Sequence, residues 1–130
     1  MSGNVLLDTT VAIDHLRHRN AALVAHLQGG GLLYLPLTAL GELHAGVECS
    51  PQPAKTLAGV QSLLTSVTVL YPDDATARHY GRIYAELSKA GTPIPQNDLW
   101  IAAFVLEYQM PLATKDQHFG RVSGVSVLAW

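Results

Sequence analysis

The sequence predicts an α/β fold in which helices cover both faces of a parallel β-sheet. Short aliphatic and β-branched runs alternate with longer helical segments, turn residues separate them, and one late helix is apolar nearly all round. Parallel strands need long crossover connections, which are usually helices. Sheets of this kind are buried on both faces. With 130 residues, the chain has the usual size of one domain, expected to span residues 1–130.

Local patterns predict the strands of the whole chain and the first helix. Over the whole chain, five short apolar runs predict strands: Val5–Leu7, Leu32–Leu35, Val67–Leu70, Leu112–Ala113 and Val125–Leu128. A helix is expected over Thr10–Leu27, with a break near Asn20, which can cap a second segment. The glycines at 29–31 end it.

Two further helices follow the second strand. Leu37–Val47 carries an apolar stripe formed by Leu40, Leu43, His44 and Val47. His44 is therefore expected to pack in the core rather than bind a ligand. Ala54–Leu64 is predicted to form the next helix.

The second half predicts one amphipathic helix and one buried helix. Asp73–Ala90 has an apolar face made of Ala77, Tyr80, Ile83, Tyr84 and Leu87. Gly91 and Pro93 end this helix. The next helix begins at Asn97 or Asp98 and runs through Gln109, and its apolar surface predicts deep burial.

Composition excludes several protein classes. Charged residues are 14% of the chain and hydrophobic residues 48%, which is the opposite of a disordered composition. Cys49 has no partner, so disulfide scaffolds and cysteine zinc sites are excluded. No apolar run approaches the ~20 residues of a spanning helix, and no basic segment precedes Val5. We expect a cytoplasmic protein without membrane contact, and the net charge of −2 excludes binding of nucleic acid by bulk charge.

Four carboxylates stand out in this weakly charged chain. Asp8 follows the first strand, Asp98 begins the buried helix, and Asp116 lies just after the fourth strand. Glu42 lies in the helix after the second strand. In parallel α/β sheets, sites form outside the carboxyl ends of strands and at helix N-termini.

A divalent cation is the simplest reason to gather such groups. Two like charges 4 Å apart repel by ~4 kcal/mol at an effective dielectric of 20. Mg²⁺ prefers carboxylate, water and phosphate oxygens, and the absence of paired cysteines favours Mg²⁺ or Mn²⁺ over zinc or copper. Such ions activate water and stabilise phosphoryl transition states, which suits phosphodiester hydrolysis.

Position alone leaves another interpretation open. An aspartate at a strand end or helix start is often only a cap. A helical wheel places Glu42 nearly opposite Leu40 and Val47, and therefore toward solvent.

Four segments together resemble the PIN-domain ribonucleases and, within them, the VapC-type toxins of bacterial toxin–antitoxin pairs. Val5–Thr10 resembles the opening strand that ends in Asp-Thr-Ser/Thr, and Thr38–Gly46 resembles the Glu-Leu-x-x-Gly helix. Gly91–Ala103 is similar to the family's Gly-x-x-Ile segment followed by Asp-x-x-Ile-Ala-Ala. Leu112–Trp130 is similar to the usual tail.

The resemblance implies a three-layer α/β/α sandwich around a five-stranded parallel sheet. It assigns Asp8, Glu42, Asp98 and Asp116 to a Mg²⁺ site that Mn²⁺ can also fill, with RNA hydrolysed by an activated water. Thr9, Asn97 and Thr114 are expected to support these carboxylates, although the two threonines can equally be strand-end residues. A homodimer and an inhibitory antitoxin encoded nearby are also implied.

The chain departs from some relatives in the last segment. Those relatives have Asn at the position of Asp116 and an acid just before the phenylalanine, where this chain has His118. Asp116 is therefore either a direct ligand or one that acts through water.

Basic residues are candidates for holding RNA phosphates. Arg17 and Arg19 follow Asp8, while Lys115 and Arg121 flank Asp116. The alternative for each is an ordinary solvated surface.

Two other functions compete with the nuclease. One is a catalytically inactive PIN-like binding module, against which the presence of all four acids argues. The other is a receiver-like phospho-acceptor, which needs its acceptor aspartate after the middle strand. Val67–Leu70 is instead followed by Tyr71 and Pro72.

Overall fold

The computed structural model describes residues 3–130 and contains five strands within them. They are β1 (Asn4–Leu7), β2 (Leu32–Pro36), β3 (Thr68–Leu70), β4 (Leu112–Ala113) and β5 (Val127–Leu128). All neighbours pair in parallel, in the order β3-β2-β1-β4-β5. The predicted parallel sheet is confirmed.

Helices connect these strands over the described residues. They are α1 (Thr9–His18), α2 (Ala21–Gln28), α3 (Leu37–Glu48), α4 (Pro53–Leu64), α5 (Asp74–Ala90) and α6 (Gln96–Tyr108), with a short 3₁₀-helix at Gln117–Arg121. The break near Asn20 is confirmed, because its side-chain oxygen accepts a 2.9 Å hydrogen bond from the Leu23 N–H at the start of α2.

Alternating residues of β1 divide the core into two layers. Leu6 packs with buried residues of α5 and α6, whereas Val5 and Leu7 pack with α1, α2, α3 and α4. Successive side chains of a strand point to opposite faces. The sheet therefore lies between two helical layers, and the three-layer prediction is confirmed.

Several local predictions differ from the structure. β3 begins at Thr68 rather than Val67, and Ala77, predicted on the apolar face of α5, is exposed. β5 begins only at Val127, because the Val125 N–H turns back to the Val122 carbonyl. His44 is exposed, since the buried stripe of α3 runs through Ala39, Leu43 and Val47. Tyr84 is 56% exposed, because α5 buries only Thr76, Ile83 and Leu87.

No helix among residues 3–130 combines the length and apolar character needed to cross a bilayer.

Candidate functional site

The candidate site lies where the chain reverses its direction of travel across the sheet. The chain proceeds from β1 outward to β2 and β3, then returns to add β4 and β5 on the other side of β1. β1 and β4 therefore border a topological switch point, where parallel α/β sheets form ligand crevices. Leu7 pairs with Ala113, so the next residues, Asp8 and Thr114, emerge side by side.

Asp8 is buried and held by two hydroxyls. It is 2% exposed, and its Oδ2 accepts 2.7 Å hydrogen bonds from Thr10 Oγ1 and Thr114 Oγ1. A buried carboxylate is tolerated where donors satisfy its oxygens. These contacts fix the Asp8 rotamer at the carboxyl end of β1.

Glu42 reaches the same region from α3. Its Oε1 accepts hydrogen bonds from Thr9 Oγ1 at 3.2 Å and from Asn97 Nδ2 at 3.4 Å. Glu42 is therefore half-buried between the first turns of α1 and α6, and the helical-wheel interpretation that placed it in solvent is wrong. A helical wheel shows only which face of α3 packs on the sheet. It does not show that α1 and α6 contact the side of α3 that carries Glu42.

Asp98 lies in the first turn of α6, where the helix dipole favours negative charge. Its side chain is 14% exposed. Burial, then the charges of Asp8 and Asp116, raise its pKa from 3.8 to about 6, against an opposing effect of His118. Burial is thus the main reason that the Asp98 carboxyl holds its proton more tightly, and the two neighbouring carboxylates add to it.

Asp116 is positioned by the turn that follows β4. Its N–H donates to Thr114 Oγ1 at 2.9 Å, and its Oδ1 accepts from the His118 N–H at 2.8 Å. The same turn brings the His118 ring back onto the site, with Nδ1 3.0 Å from Asp116 Oδ1 and 3.5 Å from Asp98 Oδ2. Asp98, Asp116 and His118 each offer one ligand atom within 4.8 Å of the others.

These side chains fit a divalent cation. The donor set is mainly carboxylate oxygen, which hard ions prefer. Burial raises the pKa of Asp98 most and the charges of Asp8 and Asp116 raise it further, and a bound cation would offset both effects on the carboxylate. The buried His118 Nδ1 also has no aligned hydrogen-bond partner among the described residues.

The basic residues divide into two groups. Arg121 Nη1 donates to the Pro93 carbonyl at 3.0 Å, beside the loop that enters α6. Lys115 Nζ donates to the Trp130 carbonyl at 2.8 Å.

Arg17 and Arg19 are exposed around the C-terminal end of α1, and Arg17 is about 12 Å along the axis from Thr9. The structure thus places Arg121 at the loop before α6 and the Lys115 ammonium at the Trp130 carbonyl and 3.8 Å from Asp14. Arg17 and Arg19 lie at the opposite end of α1 from Asp8.

Sequence reasoning missed two contributions. Thr10 was not predicted as a supporting residue, yet it donates to Asp8 and accepts the Lys115 N–H at 3.0 Å. Its position two residues after Asp8 was the available signal, because hydroxyls commonly bond to near neighbours. The sequence marks His118 only as the residue that stands where some relatives have an acid, and the turn after Asp116 shows its contact with the acids.

Comparisons with known proteins agree with this architecture. The PIN domain family model matches residues 5–125. A Haemophilus influenzae protein named Ribonuclease VapC2 is 30% identical over 127 residues, covering 96% of both chains. A Shigella flexneri protein named tRNA(fMet)-specific endonuclease VapC is 29% identical over 127 residues, with the same coverage.

A solved structure shows the same fold. The crystal structure of DNA-bound VapBC from Salmonella typhimurium matches with a TM-score of 0.88 and 27% identity, covering 98% of both chains.

Proposed function

This chain belongs to the PIN-domain family and, within it, to the VapC ribonucleases, and we propose that it is a divalent-cation-dependent endoribonuclease toxin. We further propose that residues 1–130 form a single catalytic domain. The observation that supports the proposal is that the charges of Asp8 and Asp116 act on Asp98 at the switch point between β1 and β4. Glu42 bonds to Thr9 and Asn97, the chain neighbours of Asp8 and Asp98.

The proposed reaction is hydrolysis of an RNA phosphodiester. A bound Mg²⁺ or Mn²⁺ would neutralise charge on the carboxylates and the phosphate and would make water a better nucleophile. Asp8, Asp98 and Asp116 would hold the cation, with Glu42 completing the acidic set. Thr10 and Thr114 keep Asp8 in one orientation, and Thr9 and Asn97 do the same for Glu42.

RNA would approach over the edge formed by Lys115 and Arg121. Lys115 directly precedes Asp116 in the sequence, and Arg121 donates to the Pro93 carbonyl in the loop that leads to Asp98, so both can contact phosphates. Single-stranded loops are the preferred targets, because their bases and backbone are accessible. The Shigella flexneri relative is named for cleavage of tRNA(fMet), so this tRNA is the first substrate to test.

Two protein partners form part of the proposal. The Salmonella typhimurium structure is named as a VapBC complex, which supports a cognate antitoxin for this chain. We also propose that the protein is a homodimer, and light scattering of the purified protein would test this by its molar mass. We propose that it acts in the cytoplasm.

The receiver-like alternative has no structural support. β3 is an edge strand of the sheet and not its middle strand, so no acceptor aspartate follows a central third strand.

The deciding experiment is cleavage of total bacterial RNA by antitoxin-free protein. We expect discrete fragments with Mg²⁺ or Mn²⁺ and none with EDTA or with Asp98→Asn. Glu86→Gln, which changes an exposed acid on α5, is the matched control and should cut normally. Folded protein that binds RNA without cutting it would favour the inactive binding module.

A further inference from the structure

The ring of His118 is placed against two carboxylates in an unusual way. Its Nδ1 lies 3.0 Å from Asp116 Oδ1 and 3.5 Å from Asp98 Oδ2. The side chain is 41% exposed, yet the Nδ1 atom itself is screened from solvent. Neither oxygen is aligned with Nδ1 as a hydrogen-bond acceptor. The exposed part of the ring therefore faces water, while one nitrogen faces the acids.

These separations match those between ligands of one metal ion. Neighbouring ligands at about 2.1 Å from an octahedral ion are about 3.0 Å apart. In a tetrahedral site they are about 3.3 Å apart. The distances from Nδ1 to the two carboxylate oxygens, 3.0 Å and 3.5 Å, fall in this range.

The chemistry of the three atoms also favours a metal ion between Nδ1 of His118 and the two carboxylate oxygens. A ring nitrogen that faces two carboxylate oxygens needs either a proton or a metal ion between itself and them. A metal ion meets this need without hydrogen-bond alignment, whereas an imidazolium proton requires a directed N–H. Among divalent ions, those of the first transition row accept imidazole nitrogen more readily than Mg²⁺ does.

We propose that Nδ1 of His118 is a direct ligand of the divalent cation, together with Asp98 and Asp116, and that this nitrogen shifts the preference of the site from Mg²⁺ toward Mn²⁺. The inference rests on the proposed function only in requiring a cation at these acids. The backbone supports it, because the His118 N–H donates to Asp116 Oδ1 and fixes the turn that presents the ring.

Pulsed electron paramagnetic resonance of the full chain loaded with Mn²⁺ tests the ligand directly. We expect coupling of the Mn²⁺ electron spin to an imidazole ¹⁴N nucleus. His118→Asp should abolish this coupling while retaining Mn²⁺, since it replaces nitrogen by an oxygen ligand. His44→Asn, which alters an exposed histidine of α3, should leave the spectrum unchanged.

Titration calorimetry tests the preference. We expect the ratio of Mn²⁺ to Mg²⁺ affinity to fall about tenfold or more in His118→Asp. His118→Asn provides a second variant with an oxygen donor if the aspartate disturbs folding.

The outcomes separate this inference from the nuclease proposal. Bound Mn²⁺ without ¹⁴N coupling in the unmodified protein overturns the His118 ligand and leaves the nuclease intact. Coupling in a protein that cuts no RNA supports the ligand and overturns the nuclease. Absence of Mn²⁺ binding overturns the His118 ligand, and absence of Mg²⁺ binding as well overturns the nuclease.

Discussion

The Thr114 hydroxyl donates a 2.7 Å hydrogen bond to Oδ2 of Asp8, joining residues 106 positions apart in the sequence. The bond exists because β1 and β4 are neighbours and their carboxyl ends coincide. It connects the buried carboxylate to the segment that carries Asp116, whose N–H donates to the same hydroxyl. Thr114 thus positions two of the four acids.

Thr114→Val should impair both stability and cleavage. Valine preserves the shape but leaves the buried Asp8 carboxylate with one donor fewer, which costs about 1–3 kcal/mol. Misplaced ligands should lower RNA cleavage by about 10–100-fold. Urea denaturation and initial cleavage rates measure the two effects. Thr114→Ser keeps the hydroxyl and should behave nearly as the unmodified chain, so equal losses in both variants would contradict this role.

Asp98→Asn should have opposite effects on stability without and with a cation. The pKa of Asp98 is about 6 in the folded protein, against the ordinary aspartate value of 3.8 that we expect in the unfolded chain. The folded state therefore holds the proton more tightly, and its free energy of unfolding falls as pH rises from about 4 to 6. At one pKa unit per ~1.4 kcal/mol, the loss is about 3 kcal/mol at most.

Denaturation in EDTA should show this pH dependence, and Asp98→Asn should remove it. Above pH 6 the variant should be more stable than the unmodified chain in EDTA. With Mn²⁺ the order should reverse, because a ligand that binds only the native state stabilises it. Glu86→Gln should change neither curve, and an unchanged order in Mn²⁺ would argue against Asp98 as a ligand.

Arg121→Gln should weaken RNA binding more than its charge alone suggests. The guanidinium is held at the loop before α6 by the Pro93 carbonyl, so a phosphate contact there is preorganised. We expect a higher KM and a decrease of about one in the slope of log K against log salt. Arg78→Gln on α5 is the matched control, since Arg78 pairs with Asp74 at 2.9 Å. Equal changes in both variants would indicate a general charge effect.

Thr76→Val should reduce stability and leave cleavage unchanged. The buried Thr76 hydroxyl donates to Glu107 Oε1 at 2.5 Å and accepts the Asp73 N–H, which joins the start of α5 to the end of α6. Loss of these contacts should cost about 1–3 kcal/mol. Thermal unfolding and cleavage at 25 °C measure the two properties, and Thr76→Ser should restore stability. A loss of cleavage in folded Thr76→Val would show that α6 transmits strain to Asp98.

Local sequence patterns were enough to predict the order of strands and helices and the fold class. The alternation of short apolar runs with amphipathic segments predicted the parallel sheet, because local periodicity records which side of each element is buried. It also located Asp8 and Asp98 at element ends. Glycine and Asn20 marked the helix boundaries for similarly local reasons of backbone conformation and capping.

The contacts between side chains of the site depend on how the elements pack, which local patterns do not record. Glu42 lay toward solvent on a helical wheel, yet the first turns of α1 and α6 enclose it. Thr10 and His118 gained their contacts with the acids through β1–β4 pairing and the turn after Asp116. Periodicity shows which face of a single element is buried. A site depends on the distances between different elements, and these are set by how the whole chain packs.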